Sequence, residues 1–377
     1  MINYSTETFS DMYGGVLLNR HQMFKTHNKE QNQARFLLQS AIYFVVILSK
    51  IILAKFLIQT DEVKHQKIIG LNFSVYKHRF RELSQDLVVV DYLYKQFNVE
   101  QIRLFKYVSF TQVINLLLER TTEEKQQHKK FKAHSVFYRF VCAAEYLLLE
   151  SFIREHKFDE VVTAGLNDRY CIFLSSICKK LNVDFSIIQH GALTKFEGCY
   201  LIEGTRFYYM YDFSKLYLKY FFKNAETIEF LPCERKLKQQ ELSISNHEKN
   251  LAFACTPSNI HLNYQIIDIM ISELNPEVNI YIHPHPREDV TTYKKRYSSI
   301  KNVIVTKNKI KNIEFLVTRI SSLGVELEAV GIVPVFINLE EHETDYLATG
   351  KYQTFTTLPS FKSWLHCKSS IADEYKK

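Results

Sequence analysis

Residues 161–191 read VVTAGLNDRYCIFLSSICKKLNVDFSIIQHG. The apolar run at 161–164 predicts a strand and residues 168–180 a helix. Phe185-Ser186-Ile187-Ile188 predicts a second strand ending on Gln189-His190-Gly191. Strand, helix and strand at this spacing make a βαβ unit, in which the helix returns the chain so that both strands run parallel. Ligands of such sheets collect beyond the carboxyl ends of the strands. Gly165-Leu166-Asn167-Asp168-Arg169 and Gln189-His190-Gly191 therefore fall on one prospective site edge.

The same rhythm extends in both directions. Upstream, Ile68-Ile69-Gly70-Leu71-Asn72-Phe73 reads as a strand, Leu87-Val88-Val89-Val90 as a strand or helix core, and residues 105–120 and 135–156 as helices. Downstream, a strand at 251–255, the turn Thr256-Pro257-Ser258-Asn259, a helix at 261–274 and a strand at 278–282 come first. A helix at 291–300, a strand at 303–306, a further strand and helix within 321–330, and a last strand at 333–337 follow. Between the halves lies the polar stretch CERKLKQQELSISNHEK at 233–249. The expected organisation is an N-terminal helical segment at 1–65 and two Rossmann-like α/β domains at 66–235 and 236–377. The two domains face a central cleft, and the second closes with a C-terminal helix.

A chain of 377 residues is long for one hydrophobic core, which agrees with two domains. A net charge of +7 fits anionic partners without choosing among them, and the only dense basic run, EKQQHKKFK at 124–132, reads equally well as a solvated helix face. Nucleic acid is not an expected partner. The seven cysteines show no CxxC spacing and most sit in apolar runs, which points to a reducing compartment and no zinc site. With no charged leader before an early apolar stretch, a cytoplasmic protein is expected.

Residues 36–58, FLLQSAIYFVVILSKIILAKFLI, are apolar nearly throughout, and the charges of Lys50 and Lys55 interrupt the run. The uncharged stretch falls short of the ~20 residues that a spanning helix needs. Two readings stay open: a helix in the membrane interface with Arg35, Lys50 and Lys55 snorkelling outward, as on the inner membrane, or a buried helix of the first domain.

Chemistry concentrates in a few places. His283-Pro284-His285-Pro286-Arg287 follows a strand, where either histidine can donate to a phosphate and Arg287 can pair with it bidentately. Ser321-Ser322-Leu323-Gly324 opens a helix whose N-terminus and hydroxyls suit phosphate, with Glu326 or Glu328 in reach of ribose hydroxyls. Thr256, in the turn after a strand, joins this nucleotide-binding set. His190 is a candidate general base, with Asp168 to orient it and Glu203, before Gly204, as an alternative carboxylate base. Each has a local alternative: a solvated strand-end turn, a serine N-cap, a structural histidine, and Asp168 as a helix cap.

Together, His-Pro at a strand end, Ser-Ser at a helix start and a polar-polar-Gly at the edge of the first domain resemble bacterial sialyltransferases and related enzymes that use CMP-activated acidic sugars, which have the GT-B fold. The resemblance implies an inverting glycosyltransferase of bacterial surface polysaccharide or lipooligosaccharide. It gives His285, with His283 as the lesser candidate, the CMP phosphate and its departure, and Ser321 and Ser322 the same phosphate. Where that family carries two acids before Gly, this chain has Gln189-His190-Gly191, and Ile202-Glu203-Gly204 retains one acid. In this respect the chain is also similar to capsule and teichoic-acid transferases using CDP-glycerol or CDP-ribitol, and to bacterial Kdo transferases. The implied partners are a cytidine-nucleotide donor and a glycan or glycolipid acceptor. With no Asp-x-Asp motif, no metal or other cofactor is expected.

Overall fold

The computed structural model describes residues 8–26, 33–56, 68–72, 87–91, 102, 104–119, 136–164, 166, 169–189, 191, 193–195, 199–233, 250–257, 259–285, 288–307, 313–321, 323–328, 331–340 and 344–374. The chain divides into two compact units, residues 1–190 with 196–235, and residues 191–195 with 236–377.

The first unit runs α1 (Phe9–Thr26), α2 (Gln33–Ala54), β1 (Ile68–Asn72), β2 (Leu87–Asp91), a 3-10 turn (Phe105–Tyr107), α3 (Phe110–Leu118) and α4 (Val136–His156). β3 (Glu160–Thr163), α5 (Arg169–Leu181), β4 (Asp184–Ile188), β5 (Arg206–Tyr209) and β6 (Glu229–Pro232) complete it. Its strands are all parallel in the order β2-β1-β3-β4-β5-β6. The βαβ unit is β3-α5-β4, with Val161 opposite Phe185 and Thr163 opposite Ile187. Val161, Val162, Phe185 and Ile187 are buried, as parallel strands covered on both faces require.

β5 and β6 lie where no strand is expected from the sequence. β5 holds Arg206 in register with Ser186 and Glu229, and its guanidinium meets Glu160, Asp184 and Glu229 at 3.2, 2.8 and 2.9 Å. That cross-strand ion cluster lets a short strand with a charged first residue join the sheet.

The second unit runs β7 (Asn250–Ala254), α6 (Ile260–Glu273), β8 (Asn279–His283), α7 (Val290–Tyr297), β9 (Val303–Val305), β10 (Ile313–Thr318), α8 (Leu323–Glu328), β11 (Val333–Ile337), β12 (Gln353–Phe355) and α9 (Leu358–Glu374). The strand expected within 321–330 is β10, which ends before Ser321, and β12 follows the strand read as the last. The parallel sheet has the order β12-β11-β10-β7-β8-β9. From β9 the strands run third, second, first, fourth, fifth and sixth, the dinucleotide-fold order. Helices cover both faces. Leu262, Ile266 and Met270 of α6, Tyr293 of α7 and Phe361 and Leu365 of α9 share a core with Phe253, Ile282 and Val335, while Leu323 and Leu327 of α8 pack on the other face against Ala252, Ala254 and Leu316. Two Rossmann-like units in tandem are the GT-B architecture.

α2 packs along α4, and its Lys50 is buried, with the ammonium 5.7 Å from the centre of the Phe105 ring. Lys50 therefore does not snorkel outward. Burial brings its pKa down to about 8, against the opposing pull of Glu145.

Candidate active site

In the second sheet β7 and β10 are neighbours, yet the chain leaves β7 into α6 on one face and leaves β10 into α8 on the other. Such a reversal opens a crevice beyond the carboxyl ends of the two strands, the usual ligand position in open α/β sheets. Thr256 follows β7 at this crevice, and Arg319 and Ser321 follow β10. β8, the other neighbour of β7, supplies His283 as its last residue and His285 two residues beyond.

A polar network ties these strand ends together. Glu288 sits at its centre: Oε2 accepts the His285 backbone N–H at 2.8 Å, and Oε1 accepts the Tyr293 hydroxyl at 2.7 Å. The Glu288 N–H in turn donates to the His285 carbonyl at 2.8 Å. Buried Asn263 on α6 donates through Nδ2 to the Thr256 carbonyl and lies the same 2.9 Å from the Tyr293 hydroxyl. Arg319, 2% exposed, donates to Glu340 at 2.6 Å and to the Asn259 carbonyl at 3.4 Å. The loops after β7, β8, β10 and β11 are thus held by charge-assisted bonds rather than by packing alone.

Burial and the neighbouring Cys255 and Glu288 push the Tyr293 hydroxyl well above its ordinary range, so it stays a neutral donor. Burial likewise raises the Cys255 thiol and keeps it protonated. The His283 imidazole is pushed down by burial, which favours its neutral form. Its Nδ1, and Oγ1 of Thr256, are buried with no hydrogen-bond partner among the described residues. Unmet polar atoms of this kind cost about 1–3 kcal/mol each, and two of them at adjacent strand ends mark the crevice edge.

No protein-family model matches the chain, and no curated protein matches it in sequence. Among solved structures it is similar to the UDP-GlcNAc 2-epimerase of Neisseria meningitidis bound to UDP-GlcNAc, at 13% identity and a TM-score of 0.46, over 82% of this chain and 91% of that one. It is also similar to the wall teichoic acid polymerase TagF soaked with CDPG, at 12% identity and 0.43, over 89% and 88%. A third is MnaA of S. aureus in its co-structure with UDP, at 11% identity and 0.47, over 80% and 86%. At such identities and scores these likenesses decide neither reaction nor substrate, and the two strand orders carry the fold.

Of the residues predicted from sequence, His283, His285, Thr256 and Ser321 lie along the carboxyl edge of the second sheet. Arg287, Ser322, Asp168 and His190 lie outside the described residues. The helix after Ser321 has only six residues, and Ser321 Oγ accepts the Leu323 N–H at 3.3 Å, which is cap geometry. Gly324 serves packing: a Cβ there would come within 2.8 Å of Phe336 Cζ, so the glycine lets α8 lie against β11. Glu326 is half-buried on α8, while Glu328 is engaged by the Tyr352 hydroxyl at 2.9 Å and Lys351 at 2.6 Å.

In the first unit, Glu203 precedes β5 and pairs with Lys179 near the end of α5 at 2.8 Å. It therefore sits at the amino edge of the sheet, opposite the carboxyl edge where β4 ends. Arg169 is held bidentately by buried Glu145 at 2.6 and 3.0 Å and is a structural ion pair. Gln189, buried, donates to Ser214 Oγ at 2.7 Å and accepts the Met210 N–H at 2.8 Å, fixing the backbone from which His190 departs.

Arg319, Asn263, Tyr293 and Glu340 escaped the sequence reading, and Glu288, at the end of the His-Pro run, read only as a helix start. The signal available for Arg319 was a lone arginine closing an apolar strand, hidden because that strand was placed several residues too late.

Proposed function

We propose that the chain is an inverting, metal-independent transferase that cleaves a cytidine-nucleotide donor. It passes an acidic sugar, sialic or a related nonulosonic acid or Kdo, from CMP to a hydroxyl of a bacterial surface glycan or glycolipid. The observation that supports this reading is that Thr256, His283, His285 and Ser321 follow the carboxyl ends of three neighbouring strands, β7, β8 and β10. Such an edge offers imidazole and hydroxyl donors to a phosphate, with the Glu288 and Glu340 carboxylates already engaged by the His285 N–H, the Tyr293 hydroxyl and Arg319.

The acceptor hydroxyl gives its proton to a base, for which His190 is proposed, and its oxygen attacks the anomeric carbon. The bond from that carbon to the phosphate oxygen breaks with inversion, and CMP leaves with the electron pair. His285, Arg287, Ser321 and Ser322 meet the charge that develops on it. The free thiols, with Cys142, Cys171, Cys178 and Cys255 buried, suit the cytoplasmic setting proposed for the reaction.

A second reading, transfer of a polyol phosphate from CDP-glycerol or CDP-ribitol, is favoured by one observation. Glu203, the carboxylate retained before a glycine, lies at the wrong edge of its sheet, which leaves Gln189-His190-Gly191 as the polar motif where β4 ends. CMP release separates the two: from CMP-sialic acid for the first, from a CDP-alditol for the second. His285→Ala is expected to slow either by roughly 100-fold or more, with folding intact. Folded protein that turns over no cytidine donor, or a His285→Ala variant with full activity, would overturn the assignment.

A further inference from the structure

Helix α2 is buried along one side only. Phe36, Ile47, Lys50, Ile51 and Ala54 are buried, and Phe44 meets Phe137 and Phe140 of α4 at ring distances of 5.2 and 4.8 Å. The opposite side turns Leu38, Ile42, Val45 and Ile52 to solvent, and Phe56 just beyond it is 78% exposed. The apolar surface extends to neighbouring helices: Val136 and Phe137 at the start of α4, and Phe110 and Leu118 at the two ends of α3, are exposed as well. Apolar side chains exposed on three neighbouring helices mark an interaction surface rather than scattered single residues.

Charge points to what covers it. Arg35 and Lys55 are exposed at the two ends of α2. Two copies of such a face would bring like charges together, whereas an anionic bilayer offers hydrocarbon beneath a negative surface. A spanning α2 would have to leave α4 and expose Lys50 to lipid, which is costly.

We propose that this face docks on an anionic lipid bilayer, with α2 lying in the plane of the interface and the rest of the first unit outside the membrane. This inference is independent of the donor and acceptor chemistry. The test is co-sedimentation of the full chain with phosphatidylcholine vesicles, with and without phosphatidylglycerol. Ile42→Glu, Val45→Glu and Lys55→Glu are compared with the unaltered protein, and circular dichroism confirms folding. All three positions are on the solvent side, so the fold should survive. Binding should require phosphatidylglycerol, weaken with salt, release in alkaline carbonate, and fall roughly tenfold for each substitution. Absence of binding, binding unaffected by these variants, or retention in carbonate as a spanning protein would overturn the proposal. So would a dimer on gel filtration that the same variants dissolve, since a second copy would then cover the face.

Discussion

Glu288 is the residue whose replacement should most sharply expose how the His-Pro-His loop is held. Its two oxygens accept from opposite sides, Oε2 from the His285 N–H at 2.8 Å and Oε1 from the Tyr293 hydroxyl at 2.7 Å. Glu288→Ala deletes both bonds, together with a longer one from Asn263 Nδ2 at 3.2 Å, and leaves the proton of the buried Tyr293 hydroxyl without its acceptor. Bonds to a charged acceptor contribute about 1.5–3 kcal/mol each, and an orphaned buried donor costs about 1–3 kcal/mol. Because Glu288 is itself part-exposed and water can replace some of what is lost, a net cost of about 2–4 kcal/mol follows. In a unit of this size that corresponds to roughly 4–16 °C in Tm. Glu288→Gln distinguishes this from general damage. A carboxamide has one oxygen, so whichever way it turns, one donor faces NH2, and about half the loss, ~1–2 kcal/mol, is expected. Thermal unfolding gives both numbers, and hydrogen exchange at the His285 amide reports the loop directly. If both variants unfold like the unaltered chain and the His285 amide exchanges no faster, the carboxylate clamp is not what holds the loop.

Three further outcomes follow from the same reasoning. Arg319→Met should destabilise by about 2–3 kcal/mol in chemical unfolding, below the usual figure for breaking a buried ion pair because Glu340 is partly exposed, and Glu340→Gln should recover part of that loss in the double variant. Gly324→Ala should cost about 1–3 kcal/mol by overpacking against Phe336; unchanged stability would show that the ring gives way freely. Lys50→Met should be more stable than the unaltered chain below about pH 8. Because burial depresses the folded pKa from 10.5 to about 8, the unfolded chain binds the extra proton between those values, and the gap should shrink as pH rises through that window. A gap independent of pH would remove the buried charge as its cause.

The sequence made the architecture readable because parallel strands buried on both faces appear as continuous apolar runs. Val161-Val162 and Phe185-Ser186-Ile187-Ile188 fell where β3 and β4 lie. β5 was missed because its strand character comes from an ion cluster assembled by Glu160, Asp184 and Glu229, three residues far apart in sequence. The crevice residues were legible where they sit within a few positions of each other, as His283 and His285 do. Asn263, Glu288, Tyr293 and Arg319 meet only after α6, α7 and β10 have packed, and no local spacing relates them. Glu203 shows the reverse failure: a plausible local motif sits at the amino edge of the sheet, a position that only strand direction reveals.

The most direct test of the site is hydrogen exchange of the full chain with and without CMP. A nucleotide seated where β7 and β10 diverge predicts slower exchange at residues 255–259, 283–288 and 319–324, lost in Ser321→Ala or His285→Ala. Protection confined to the first unit, or none at CMP concentrations that support turnover, would contradict it.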